Sequence, residues 1–190
     1  MLILVRHGRT ALNAAGRLQG RIDEPLDDVG RAQAAAIAAH VGAVDVLISS
    51  PLTRATETAE AFDMPFATDE RWVELSYGRL EGALVSDALS ADVWAEWRSD
   101  PAFVPAGGES LLELDKRVRR ACDELVELAS ERSVAVVTHV SPMKAAVAWA
   151  LKAPVDIAWR SHLSHASVCR IEVTSNGPVL TAFNERAPLS

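Results

Sequence analysis

Met1-Leu2-Ile3-Leu4-Val5-Arg6-His7-Gly8 opens the chain, and the point where its apolar run stops decides how the rest is read. Five apolar residues without alternation have the pattern of a strand buried on both faces. Such a strand belongs in a parallel sheet covered by helices. Sheets of that kind place their ligand sites beyond the carboxyl ends of the strands, here at Arg6-His7-Gly8.

The same arrangement recurs downstream. Asp27 is placed to cap a helix over Asp28 to Val41, where Val29, Ala32, Ala36 and Ile37 keep helical spacing. Val44 to Ile48 reads as a second short strand, with Ser49-Ser50-Pro51 as cap and first turn of a helix from about Leu52 to Phe62. Ser110 begins an amphipathic helix to Arg132, in which Leu111, Leu114, Val118, Ala121, Leu125 and Leu128 fall three or four apart. Ser133 to Thr138 reads as a third buried strand, followed by His139 and a helix starting at Pro142. Ser167 to Thr174 and Pro178 to Phe183 read as closing strands. The expected fold class is therefore α/β, a three-layer sandwich whose mainly parallel central sheet carries helices on both faces. Residues from about 64 to 109, with Trp72, Trp94, Trp97 and the turn Pro105-Ala106-Gly107-Gly108, read as a lid-like insertion in a single domain over 1–190.

Composition agrees with a globular chain: 49% of the 190 residues are apolar and 24% charged. No apolar run approaches the ~18 to 20 residues of a membrane helix, and the N-terminus reads as a strand without a basic leader, so a cytoplasmic protein is expected. Cys122 and Cys169 lack the spacing of a disulfide framework or zinc cluster and read as buried small hydrophobes. The formal charge of -7 speaks against nucleic acid or anionic membrane as partners. An anionic substrate would need arginines gathered locally around one reactive group.

Three predicted strands end at Arg6-His7, at Ser50 to Arg54 and at His139, so the sheet would bring two histidines and two arginines to one edge. Planar guanidinium forks suit phosphoryl oxygens and stay protonated at any working pH. They also disfavour imidazolium nearby, leaving a neutral ring nitrogen free to attack phosphorus.

At these residues the chain resembles the histidine phosphatase superfamily, the phosphoglycerate mutase-like family. Arg6-His7-Gly8-Arg9-Thr10-x-x-Asn13 is similar to its opening motif. Leu18-Gln19-Gly20-x-x-Asp23-x-Pro25-Leu26 and Ser50-Pro51-Leu52-x-Arg54-Ala55-x-x-Thr58-Ala59 resemble the next two blocks. Glu74-Leu75-x-Tyr77-Gly78-x-Leu80-Glu81-Gly82, Gly107-Gly108-Glu109-Ser110 and Val136-Val137-Thr138-His139 complete the order. A lone Arg-His-Gly would be weak; six ordered blocks over nearly the whole chain are not.

The resemblance implies His7 as nucleophile, Arg6, Arg54 and His139 as the phosphate pocket, and Glu74 as proton donor to the leaving oxygen. It implies a further phosphate contact from Asn13, and Gln19 and Gly20 at the substrate entrance. No metal or other cofactor is implied, since arginines supply the charge. The expected partner is a small phosphorylated metabolite, and a homodimer is left open. Two departures bear on substrate preference: Arg9 where the family has an acidic or amide residue, and Val140 in place of glycine after the second histidine. His40, within a helix, is set aside. His162 and His165 have a spacing that could pair them on one helical face, but without a third ligand they read as lining the pocket mouth. Glu81 reads equally as a family site residue or a structural acceptor. Trp72, Trp94, Trp97, Trp149 and Trp159 read as core or lid packing.

The activity expected is hydrolysis of small phosphomonoesters through a phosphohistidine, without metal. One rival is mutase-type phosphoryl transfer, which in the family goes with a more basic middle segment; here Gly82 to Pro105 holds Arg98 as its only cation. The other is a non-catalytic phospholigand-binding protein, which the intact set of His7, Arg6, Arg54, Glu74 and His139 disfavours.

Overall fold

A computed structural model describes residues 1–90 and 92–187. Its core is one six-stranded sheet built from β1 (Leu2–Arg6), β2 (Val46–Ser49), β3 (Ala67–Thr68), β4 (Val134–Thr138), β5 (Ser167–Thr174) and β6 (Gly177–Arg186). The strands lie in the order β3-β2-β4-β1-β5-β6. The first four of that order run parallel, whereas β5 is antiparallel to β1 and β6 to β5.

Successive strand residues point to opposite faces, and the two faces carry different helices. On one face Leu2, Leu4, Val134, Val136, Cys169 and Ile171 pack against α6 (Leu111–Glu131) and α7 (Val140–Ala150). On the other, Ile3, Val5, Leu47, Ala135, Val137 and Val168 pack with Ile37 of α2 (Asp28–Val41) and with Ala55 and Ala59 of α3 (Thr53–Glu60). This is the three-layer sandwich expected from the unbroken apolar strands. Both cysteines are buried and free, Trp72 and Trp97 are fully buried, and His40 lies exposed in the last turn of α2. No helix of the described residues is long and apolar enough to cross a membrane.

Several boundaries differ from the sequence reading. The strand expected over Val44 to Ile48 is β2, two residues later at its start, because the Asp45 carboxylate instead takes the Ser133 N–H, at 2.8 Å. The helix expected to be capped by Ser49 and Ser50 has Leu52 at its N-cap with no side-chain cap. Those serines are engaged elsewhere: Ser49 donates to the Ser50 carbonyl, and the Ser50 hydroxyl meets His139. Asp23, distant in sequence, accepts from the Thr53 N–H at 2.7 Å and its hydroxyl at 2.8 Å. The last helix starts at Val140, which leaves Pro142 in its first turn, where a missing N–H costs no helical bond. The irregular middle holds the edge strand β3 and two short helices, α4 (Val85–Ser90) and α5 (Asp92–Ser99). A one-turn α1 (Ala11–Ala14) also escaped notice; it is held by a capping box between Thr10 and Asn13.

One close approach positions the sheet edge. Gly30, inside α2, lies so near the turn after β1 that a Cβ there would sit 2.0 Å from the Arg9 carbonyl oxygen, and one on Gly8 would sit 2.3 Å from the Gly30 oxygen. Glycine to alanine inside a helix ordinarily stabilises by up to about 1 kcal/mol. Here the sign reverses: Gly30→Ala is expected to destabilise by about 1–3 kcal/mol, read as a lower urea midpoint at unchanged slope.

Candidate active site

The parallel strands deliver their side chains to one edge. The His7 N–H continues the β1–β4 ladder by donating to the Thr138 carbonyl at 3.0 Å, and the Ser50 N–H likewise reaches the Val137 carbonyl at 2.9 Å. Thr58 on α3 braces the turn, accepting the Gly8 N–H at 3.1 Å while donating to the Arg54 carbonyl at 2.7 Å.

His7 is buried, and its Nδ1–H donates to the Gly8 carbonyl at 2.7 Å. That bond assigns the proton to Nδ1 and leaves the Nε2 lone pair facing Arg54, whose Nε lies 3.3 Å away. Arg54 is 1% exposed. Its two outer nitrogens donate to the Gly20 carbonyl at 2.7 Å and the Ile22 carbonyl at 2.9 Å, so the loop after α1 fixes the guanidinium plane. Arg6 donates to the Leu163 carbonyl at 2.6 Å, while its Nε is buried without a partner. His139 lies 5.0 Å from His7 between ring centres, with Nε2 2.8 Å from the Ser50 hydroxyl and Nδ1 unpartnered.

Among the described residues neither Arg6 nor Arg54 has a carboxylate within 4 Å; the ion pairs lie elsewhere. Burial, then the Arg54 and Arg6 charges, hold the His7 imidazole well below the ordinary histidine range. The same causes act on His139, with desolvation again the largest. Desolvation therefore outweighs the arginine charges that the sequence reading credited. Burial also lowers Arg6 to about 10, which still leaves it cationic at neutral pH.

Glu74 reaches the same edge from the extended stretch between the 3-10 turns Glu70–Trp72 and Gly78–Leu80. Its Oε1 accepts the Leu75 N–H at 2.7 Å and the Ser141 N–H at 3.2 Å, so it rests on the first turn of α7. Thr138 anchors this segment by donating to the Trp72 carbonyl at 2.6 Å. Two arginines hold its backbone: Arg21 and Arg117 both donate to the Glu74 carbonyl at 3.3 Å and both pair with Glu109.

The remaining predicted residues are distributed as follows. Asn13 Oδ1 takes the Thr10 N–H at 3.3 Å, within the capping box. Gln19 is buried and accepts from the Thr10 hydroxyl at 2.9 Å. Gly20 has φ of +56°, and a Cβ there would meet the Glu81 carboxylate. That carboxylate accepts the backbone N–H groups of Arg21 and Tyr77, each at 3.1 Å, a structural acceptor between two loops. Arg9 is paired with Asp27 at 2.7 Å. His162 and His165 are not on a helix but in the connection before β5, so helical spacing does not apply to them. They border a cavity of about 740 Å³ with Arg6, Gln33 and Arg186. No group of three metal-ligating side chains occurs among the described residues.

Residues 2–186 match the family described as histidine phosphatase superfamily, branch 1. The chain belongs to that superfamily. Among its relatives, phosphoserine phosphatase 1 of Hydrogenobacter thermophilus is 31% identical over 96% of this chain and 91% of its own length. A bifunctional protein of Mycobacterium tuberculosis is 34% identical over 93% of this chain, which spans about half of that protein, 51%. Among solved structures, the phosphoserine phosphatase of Entamoeba histolytica in complex with phosphoserine superposes with a TM-score of 0.89 at 26% identity, over 97% of this chain and 96% of that one. A mycobacterial glucosyl-3-phosphoglycerate phosphatase complexed with VO3 gives 0.86 at 30% identity, over 96% and 98%.

In this superfamily member the sequence reading gave no role to Gly30, Ser141 or Lys144. The signal for Lys144 was present, since it is the only charged residue in α7. Acid sensitivity follows from the histidines. Burial chiefly, with nearby arginines, lowers His7, His139 and His165, the last to about 4. Below pH 6.5 the unfolded chain takes up protons that the folded chain refuses, so stability is lost as pH falls. Unfolding free energy should therefore fall between about pH 6.5 and 5 with a slope approaching about three protons; a flat urea-midpoint profile over that interval contradicts the assignment.

Proposed function

We propose that the protein is a phosphatase of small phosphomonoesters that works through a phosphohistidine at His7. The observation that carries the proposal is the buried His7 Nε2, deprotonated because Nδ1–H is committed to the Gly8 carbonyl, beside Arg6 and Arg54, which among the described residues have no carboxylate in direct contact, with Glu74 acting on both from farther away. A phosphoryl dianion supplies the missing charge, and guanidinium forks match its oxygens. The names of the relatives support this reading, because phosphoserine and glucosyl-3-phosphoglycerate are both phosphomonoesters.

The steps follow from the donors. His7 Nε2 attacks phosphorus as the ester P–O bond breaks, and protonated Glu74 gives its proton to the departing oxygen. Water then attacks phosphorus, Glu74 takes its proton, the P–N bond breaks and neutral His7 returns. Arg6, Arg54 and His139 stabilise charge on the transferring oxygens, with Asn13 as a further phosphate contact and Gln19 and Gly20 at the entrance. The two arginines do the work a metal would otherwise do, so the enzyme is proposed to be metal-independent.

Two results are expected. p-Nitrophenyl phosphate is hydrolysed in the presence of a chelator, and His7→Ala abolishes turnover. Glu74→Gln lowers kcat/KM, which reports transfer to His7, about 10²- to 10⁴-fold for an alkyl phosphomonoester and less for p-nitrophenyl phosphate, because p-nitrophenolate leaves without needing a proton. Equal losses in kcat/KM on both esters contradict the proton-donor role given to Glu74.

A further inference from the structure

Lys144 projects from α7 one turn beyond His139, within a helix otherwise free of charge. Its ammonium is partly buried and donates to the Ala158 carbonyl at 2.8 Å. An ammonium has three donors, and among the described residues this one has no carboxylate within 4 Å. Removing such a charge from water is costly, and burial lowers the Lys144 pKa although the Glu74 carboxylate acts in the opposite direction.

Lys144 borders a cavity of about 180 Å³ whose walls include Tyr77, Trp94, Val140, Ser141 and Trp159. The tryptophan rings meet edge to face at 5.4 Å, and Tyr77 stacks on Trp94 at 6.4 Å. Glu74 does not itself line the cavity but is bonded to a residue that does. Ser141 gives its N–H to the Glu74 carboxylate, its hydroxyl lies 3.3 Å from the Tyr77 hydroxyl, and both residues line the cavity. Leu75, next in sequence to Glu74, lines it as well.

With His7 as nucleophile and Glu74 as proton donor, the reading on which this inference rests, the leaving group departs on the Glu74 side, in line with the attacking nitrogen. We propose that this cavity is the leaving-group subsite and that Lys144 selects phosphomonoesters whose leaving group carries a carboxylate. The volume lies below the ~300 Å³ at which sites for drug-sized ligands begin, so the leaving group is small. One ammonium on aromatic walls suits one compact anion; a second phosphate would bring two charges. Against the chain's formal charge of -7, a local cation favours the carboxylate end of such a substrate.

The test compares kcat/KM for D-3-phosphoglycerate and sn-glycerol 3-phosphate, which differ by a carboxylate against a hydroxymethyl group. The wild-type enzyme should favour the carboxylate about tenfold or more. Lys144→Met should bring the ratio close to one, and Lys144→Arg should keep most of it. A wild-type ratio near one, or an undiminished ratio in Lys144→Met, overturns the assignment while leaving His7 chemistry intact. An equal loss on both esters overturns it too, because it marks a general positioning role. Hydrolysis of p-nitrophenyl phosphate but of neither ester also counts against the subsite. Should no ester be turned over, the catalytic reading fails separately, and binding decides the subsite. In His7→Ala protein, 3-phosphoglycerate should raise Tm more than glycerol 3-phosphate does, and the added Lys144→Met should remove the difference.

Discussion

Two guanidinium groups, Arg54 buried and Arg6 half-buried, lie beside two imidazoles with no carboxylate within 4 Å among the described residues, and they constrain the rest of this structure. Buried unpaired charge is expensive unless it is hydrogen-bonded and paired. The fold meets the first condition by spending backbone carbonyls: Gly20 and Ile22 for Arg54, Leu163 for Arg6. The second is left to a ligand of opposite charge. The imidazoles respond by staying neutral, which in His7 leaves a lone pair on the nitrogen nearest Arg54.

This arrangement depends on close packing behind it. The Gly8–Gly30 approach presses the turn after β1 against α2, and Thr58 ties that turn to the helix that carries Arg54. On the other side, Thr138 and Ser141 hold the Glu74 segment from β4 and α7. Arg21, Arg117 and Glu109 clasp it from outside. Glu74 and His7, the proposed proton donor and nucleophile, thus sit on separate elements whose spacing is set by one strand, β4, and the helix that follows it. Lys144, little more than a turn further along α7, adds a third cation with no carboxylate within 4 Å among the described residues, on the wall of the cavity proposed for the leaving group.

Much of this was legible in the sequence, for a physical reason. Strands buried on both faces write themselves as unbroken apolar runs, and β1 and β4 are such runs, so His7 and His139 were placed at once. The caps at Asp27 and Ser110 were equally plain because their partners lie three residues away. What sequence could not show was long-range pairing. Asp23 serves the start of α3 across thirty positions, and Ser50 is drawn off to His139, which no local rule encodes. Nor did helical propensity reveal Gly30, where a clash with a distant carbonyl overrides the usual preference for alanine. β5 and β6 read correctly as strands, yet their antiparallel direction depends on pairing with β1 and with each other.

The central claim is that His7 Nε2 becomes bonded to phosphorus. The most direct measurement is rapid quench of the enzyme turning over a phosphomonoester, followed by peptide mapping under alkaline conditions. The account predicts phosphate on His7, stable in base, lost in acid and absent from His7→Ala. Turnover without any phosphate on His7 during the steady state would contradict it, and would mean that water attacks the ester in a single step.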